Sequence, residues 1–142
     1  MAERMAGKAA VVTGASSGMG RDIVLAYLKE DARVVAAARN MDALLDLERE
    51  AAELGYKEQL RIVSCDVTKA EDCENAIRAC AEAFGTCNVL SHNAGVADNF
   101  TPVADMTDEV WEKMLSVNLT ASMKITRAAL KYFLANNINA SI

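Results

Sequence analysis

Residues 13–20, Thr13-Gly14-Ala15-Ser16-Ser17-Gly18-Met19-Gly20, have the types and spacing to hold a phosphate. They follow a short apolar run and precede an amphipathic stripe, so they stand where a strand hands over to a helix. In that context Gly14 permits a sharp turn, Gly18 lets backbone amides approach a pyrophosphate, and Gly20 lets helix and strand pack closely. The helix N-terminus adds about half a positive charge aimed at the anion. A nucleotide is the expected ligand. The same glycines could be plain turn residues. Their spacing, Gly-x-x-x-Gly-x-Gly, differs from Gly-x-Gly-x-x-Gly and from a phosphate loop ending in Gly-Lys-Ser/Thr, so an ATPase reading fails.

The hydrophobic period along the chain switches repeatedly between strand-like runs and helix-like stripes, which predicts β-α-β-α units around a parallel sheet. Residues 8–13 are an apolar strand suited to burial on both faces. A helix over 18–30 repeats Ile23/Val24 and Tyr27/Leu28 four apart, and residues 33–38 supply the next strand. Asn40 caps the following helix, whose stripe is Leu44, Leu47, Ala51 and Leu54 before Gly55 ends it. Residues 59–65 form a third strand. Thr68-Lys69-Ala70-Glu71 reads as a capping box opening a helix with Cys73, Ile77, Cys80 and Phe84 on one face, ending at Gly85. A fourth strand at 88–92 leads into a turn-rich loop, 93–106, containing Pro102. Thr107 caps a helix through Trp111 and Leu115, and a second helix over 118–135 carries Leu119, Ile125, Ala129, Tyr132 and Phe133 on one side. Ala140-Ser141-Ile142 reads as a strand beginning. The fold class is therefore α/β, a Rossmann-like doubly wound parallel sheet in the order β-α-β-α-β-α-β plus one or two helices, truncated before later strands.

At 142 residues, 52% hydrophobic and with one proline, the chain fits one compact dinucleotide-binding domain and excludes disorder. Fifteen Lys and Arg against twenty Asp and Glu leave a net charge of −5, which gives no general attraction to nucleic acid or anionic lipid. No apolar run approaches the roughly 18 residues of a membrane span, and no signal-peptide core follows Glu3 and Arg4, so a cytoplasmic location is expected. Cys65, Cys73, Cys80 and Cys87 form no Cys-x-x-Cys pair and have one histidine, His92, to join them. No metal site is expected, and the thiols read as small buried hydrophobes, with a redox role as the alternative.

The Thr-Gly-x-x-x-Gly-x-Gly segment resembles that of the short-chain dehydrogenase/reductase family, and three further landmarks follow in order. These are Asp66-Val67 after the third strand, His92-Asn93-Ala94-Gly95 after the fourth, and Asn118 in Ser-Val-Asn-Leu. The resemblance spans essentially all of this chain and the N-terminal half, or slightly more, of a full family member. It implies a cofactor-binding set of Thr13, Gly14, Ser16, Ser17, Gly18, Met19, Gly20, Asp66, Val67, Asn93, Ala94 and Gly95. In it, Asp66 bonds the adenine amino group, and Asn93, Ala94 and Gly95 border the cofactor ribose and brace the sheet. Asp66 could instead simply start the turn into the helix at Thr68. Asn118 is the candidate catalytic residue, a member of the family's proton relay. The resemblance also implies a ketone or secondary alcohol as substrate and a homo-oligomer; the charge and the short apolar runs predict no nucleic-acid or membrane partner.

An acidic residue at the end of the second strand would bind the ribose 2′-hydroxyl of NAD; here that position is Ala38, followed by Arg39. A guanidinium suits a 2′-phosphate, which favours NADP(H) over NAD(H), the alternative being a solvated surface arginine. Three positions depart from the family pattern. His92 stands where asparagine is usual and reads as a buried, hydrogen-bonded imidazole rather than a base. Asp31 replaces a turn glycine and tolerates a left-handed backbone, and Asn88 replaces an aspartate. The family's chemistry needs a serine and a Tyr-x-x-x-Lys pair. Tyr27, Tyr56 and Tyr132 are followed four residues later by Asp31, Leu60 and Asn136. The resemblance sets Ile142 inside the strand leading to the serine, so the 142-residue chain alone is expected to be inactive, with an uncovered fourth-strand edge.

Overall fold

Alternation of apolar residues along the first two strands sorts them onto two cores. The structure, a computed structural model, describes residues 3–142. Its sheet has four parallel strands: β1 (Ala9–Thr13), β2 (Arg33–Ala38), β3 (Leu60–Ser64) and β4 (Val89–His92), in the order β3-β2-β1-β4. Val12, Val34, Ala36 and Ala38 face α1 (Gly18–Lys29) and α2 (Met41–Glu53). Val11, Val35 and Ala37 face α3 (Ala70–Phe84) and α5 (Ala121–Ala135). Helices thus cover both faces, as a parallel sheet of this kind requires. The shorter α4 (Asp108–Leu115) buries none of its residues.

Most predicted elements form within a residue or two of their expected bounds. Asn40 accepts the Ala43 amide at 3.1 Å as the cap of α2, and Thr107 accepts that of Val110 at 3.3 Å as the cap of α4. Asp31 adopts a left-handed backbone, φ 63°, and Gly85 closes α3 at φ 77°. Cys73, Ile77, Cys80 and Phe84 are buried as one stripe, and all four cysteines are free and buried. Ala9 donates its amide to Asn88 Oδ1 at 2.9 Å, so asparagine here fastens β1 to the start of β4.

Four expectations are corrected. The capping box at Thr68 does not form: α3 starts one residue later than the box requires, from Lys69 and without a side-chain cap, and the Thr68 hydroxyl donates to Asp66 Oδ1 at 2.6 Å. Leu54 falls outside the α2 stripe as its C-cap residue, half exposed. Leu119 is 65% exposed, because the chain between α4 and α5 widens into one π-helical turn, Ser116–Thr120, which shifts the phase of the apolar stripe. The outer edge of β4 is not bare: Ser141 donates to Asn88 O and accepts from Leu90 N, each at 3.0 Å, so a strand does begin there. Among the described residues no helix is long and apolar enough to cross a membrane.

Candidate functional site

A parallel sheet whose second half runs off the opposite side of β1 opens a crevice beyond the strand ends where the order reverses. Here β1 is flanked by β2 on one side and β4 on the other, and an open cleft of about 530 Å³ lies at that switch. Gly14, Ser16, Ser17, Met19 and Gly20 line one side; Arg39, Asp66 and Val67 line the second; Asn93, Ala94 and Gly95 line the third. Thr13 and Gly18 are not among the lining residues. Thr13 is fully buried behind the cleft, and Gly18 is the exposed first residue of α1.

Two of the glycines are required by close packing. A Cβ on Gly14, whose φ is +65°, would stand 2.7 Å from Ala94 N and from Asn93 C. A Cβ on Gly20 would stand 2.2 Å from Gly14 O. The first turn of α1 therefore lies directly on the β1 turn. Its N-cap residue, Ser17, provides no side-chain cap, and the turn holds no acidic residue. Free amides and an unneutralised dipole end are what an anion would meet there.

At the second side the Asp66 carboxylate is already engaged. Its Oδ1 accepts both the amide of Thr68 at 3.0 Å and its hydroxyl at 2.6 Å, while the Asp66 amide donates to Asp72 Oδ2 at 2.9 Å. The Thr68 hydroxyl hydrogen bond holds Asp66 below the usual aspartate range, helped by Lys69 and Arg39. Asp66 thus does start the turn into α3, and it does so while lining the cleft. Lys124, reaching from α5, donates to Thr68 O at 2.5 Å and ties that turn down from below. Arg39 is exposed and pairs with no carboxylate among the described residues.

The third side hangs on Thr13. Its Oγ1 accepts the amides of Asn93 at 3.1 Å and Ala94 at 3.4 Å, and sits 2.6 Å from His92 Nδ1. Burial lowers the His92 pKa below 6.5. Asn93 turns its own side-chain amide onto Ser91, at 2.9 Å to Oγ. One turn further on, Asn118 donates Nδ2 to Val96 O at 2.9 Å and accepts Val96 N at 2.8 Å, from within the π-helical turn. The Asn118 carbonyl accepts the Ser122 hydroxyl at 3.1 Å.

Sequence reasoning missed Asn40, Cys65, Thr68, Val96 and Val117 as lining residues, and Lys124 as a support. Thr68 had a local signal, an Asp two residues earlier that a turn could engage. Lys124, 56 residues from its partner, had none.

The family model of the short chain dehydrogenases matches residues 8–142. The chain belongs to that family. Among short-chain dehydrogenases it is 41% identical over 130 residues to 3beta-hydroxysteroid dehydrogenase 2 of Eggerthella lenta, covering 92% of this chain and 49% of that protein. The crystal structure of a short chain dehydrogenase from Mycobacterium smegmatis is similar at TM-score 0.88 and 38% identity, over 94% of this chain and 54% of the other. An actinorhodin polyketide ketoreductase variant solved with NADPH is similar at TM-score 0.84 and 32% identity, over 96% and 51% of the two chains. The chain spans about half the length of each of these three proteins.

A nicotinamide dinucleotide, the family's cofactor class, fits the residues present. The uncapped end of α1 and the glycine cradle suit a pyrophosphate, the unpaired Arg39 suits a further anion, and the turn at Asp66 and Val67 offers polar groups beside an apolar wall.

Proposed function

We propose that this chain is a single dinucleotide-binding domain, the cofactor-binding part of a cytoplasmic NADP(H)-dependent oxidoreductase that interconverts a ketone and a secondary alcohol. The observation that carries the reading is the Ala38-Arg39 end of β2, which brings a guanidinium and no carboxylate to the cleft rim opposite the uncapped end of α1. Bound there, the dinucleotide supplies hydride-transfer chemistry. Gly14, Ser16, Ser17, Met19, Gly20 and the α1 amides hold the pyrophosphate, with Thr13 and Gly18 shaping the turn. Arg39 holds the 2′-phosphate, Asp66 and Val67 flank the adenine, and Asn93, Ala94 and Gly95 border the second ribose. Asn118 serves the proton relay of the whole enzyme. The chain contains no Tyr-x-x-x-Lys, so by itself it binds without reducing. The alternative reading is a non-catalytic dinucleotide-binding module. The solved ketoreductase with NADPH supports the cofactor choice. The exposed apolar residues of α4 and α5 support a homo-oligomer, and the free buried thiols support a reducing compartment.

Calorimetric titration tests this. NADPH binds the chain more tightly than NADH, and Arg39→Asp weakens NADPH by about tenfold or more, the size of a lost charge-assisted hydrogen bond, while sparing NADH. Unchanged NADPH affinity in Arg39→Asp overturns the NADP assignment. A carbonyl screen with NADPH distinguishes an enzyme part, inactive alone but active within the longer protein, from a module that never reduces.

A further inference from the structure

Thr13 and His92 are direct partners in the β1–β4 ladder, and their side chains meet at 2.6 Å. A threonine hydroxyl has one proton to give and two lone pairs to share. Both lone pairs of Thr13 Oγ1 face backbone amides, those of Asn93 and Ala94, which can only donate. What remains at Oγ1 is its proton, and the one acceptor within reach is His92 Nδ1. An imidazole that accepts at Nδ1 is neutral and carries its proton on Nε2. That nitrogen is buried and has no hydrogen-bond partner among the described residues.

A second proton on this ring would reverse the arrangement. Nδ1 would become a third N–H donor pressed on an oxygen whose lone pairs are both taken, and one amide bond would have to yield. Asn93 and Ala94 line the cleft, and the backbone of Gly14 is packed against them with no room for a Cβ. No carboxylate or cation acts on the ring from β1, β4, the following loop or α5, so nothing nearby offsets the charge.

We infer that His92 is a positioning residue of the cleft: as the neutral Nε2–H tautomer it aims the Thr13 hydroxyl so that its oxygen holds the Asn93 and Ala94 amides, and protonation of His92 releases that wall. The inference rests on the dinucleotide reading only for its effect on affinity. Because of this latch, cofactor binding weakens in acid through a group that touches no cofactor. Asparagine at the same place retains an acceptor for Thr13 but cannot titrate.

The first test needs neither a substitution nor a ligand. Long-range proton–nitrogen NMR of the histidine-labelled chain at about pH 8 reports the tautomer of its single histidine. A protonated Nε2 with bare Nδ1 is expected, and a protonated Nδ1 overturns the inference. The second test follows NADPH affinity from about pH 8 to about pH 5 in wild type and in His92→Asn. The two proteins bind within about twofold of each other at the upper pH. As the histidine titrates, wild type loses affinity by about threefold or more relative to His92→Asn at the same pH. Identical pH profiles overturn the inference. A chain that binds no dinucleotide defeats the functional reading instead. The tautomer, with hydrogen-exchange protection of the Asn93 and Ala94 amides across the same pH range, then still decides the role of His92. Loss of protection as the ring protonates supports the latch, and constant protection overturns it.

Discussion

Asn118 and Val96 hold each other by both ends of an amide: Asn118 Nδ2 donates to Val96 O, and Val96 N donates back to Asn118 Oδ1, across 22 residues of sequence. This two-point bond fastens the π-helical turn to the loop leaving β4, and so sets the far limit of the cleft. Asn118→Ala removes both bonds and leaves the Val96 groups to water. A loss of about 1–2 kcal/mol in unfolding free energy is expected, with a larger effect on dinucleotide affinity than a surface substitution gives. Asn118→Asp keeps the acceptor and loses the donor, and should fall between. Urea melts of the three proteins check the order, and an alanine variant as stable as wild type removes the bracing role.

Gly20 gives the sharpest steric test. With Gly14 O only 2.2 Å from where its Cβ would lie, Gly20→Ala must push α1 off the β1 turn. Overpacking of this kind costs about 1–3 kcal/mol, and the shift also moves the α1 amides away from any anion they hold. Dinucleotide binding should vanish while Gly55→Ala, where a Cβ meets nothing, leaves it intact despite its own backbone strain at φ +90°. Equal binding in both variants would contradict the cradle.

Stability should rise with pH in two separate windows. Burial depresses the folded pKa of His92 below 6.5, so the unfolded chain takes up a proton that the folded chain refuses. The stability this group supports is complete above pH 6.5 and declines as pH falls from there to the folded value. Asp66 acts lower: its hydrogen bond with Thr68 depresses it below 3.8, so its contribution is present above pH 3.8 and is lost as pH falls through the folded value. Denaturation midpoints across the range should show both steps, the upper absent in His92→Asn and the lower reduced in Asp66→Asn, because Glu30, held below its usual range by Arg4, titrates in the same acid window. A single step common to all three proteins would refute the assignment.

Trp111, Leu115, Leu119, Met123, Leu130 and Leu134 are exposed along α4, the π-helical turn and α5. An apolar array of that extent favours association. Light scattering at high concentration should give a mass above that of one chain, and Leu134→Glu, at the most exposed of these positions on α5, should lower it. A monomer at all concentrations would argue against an oligomer built on this face.

The strand and helix order was readable because each element satisfies its own period and cap: Asn40 and Thr107 cap as their types predict, and Val34 to Ala38 alternate onto the two cores. The glycine cradle was readable because strand, glycines and helix are contiguous. What was not readable depends on distant partners. Thr68 has the type and spacing of a capping residue, but α3 starts one residue later, from Lys69, and the Thr68 hydroxyl turns back to Asp66. Leu119 has the right spacing for a stripe of regular period, and a wider turn moves it off that stripe. Lys124 under the Asp66 turn and the doubled bond of Asn118 are juxtapositions that only the folded chain creates.

The packing of Gly14 against Asn93 and Ala94 also sets a schedule for synthesis. Thr13 and His92 lie 79 residues apart, and the strand pair they join is parallel, so no local hairpin can bring them together. At about 5–20 residues per second, the glycine turn emerges from the ribosome roughly 4–16 s before the wall it needs. During that interval β1 can pair only with β2, and one flank of its apolar backbone waits for a neighbour not yet made. The nascent chain thus has a time when its most hydrophobic strand is half covered, and chaperone capture, if it occurs, should fall within that time.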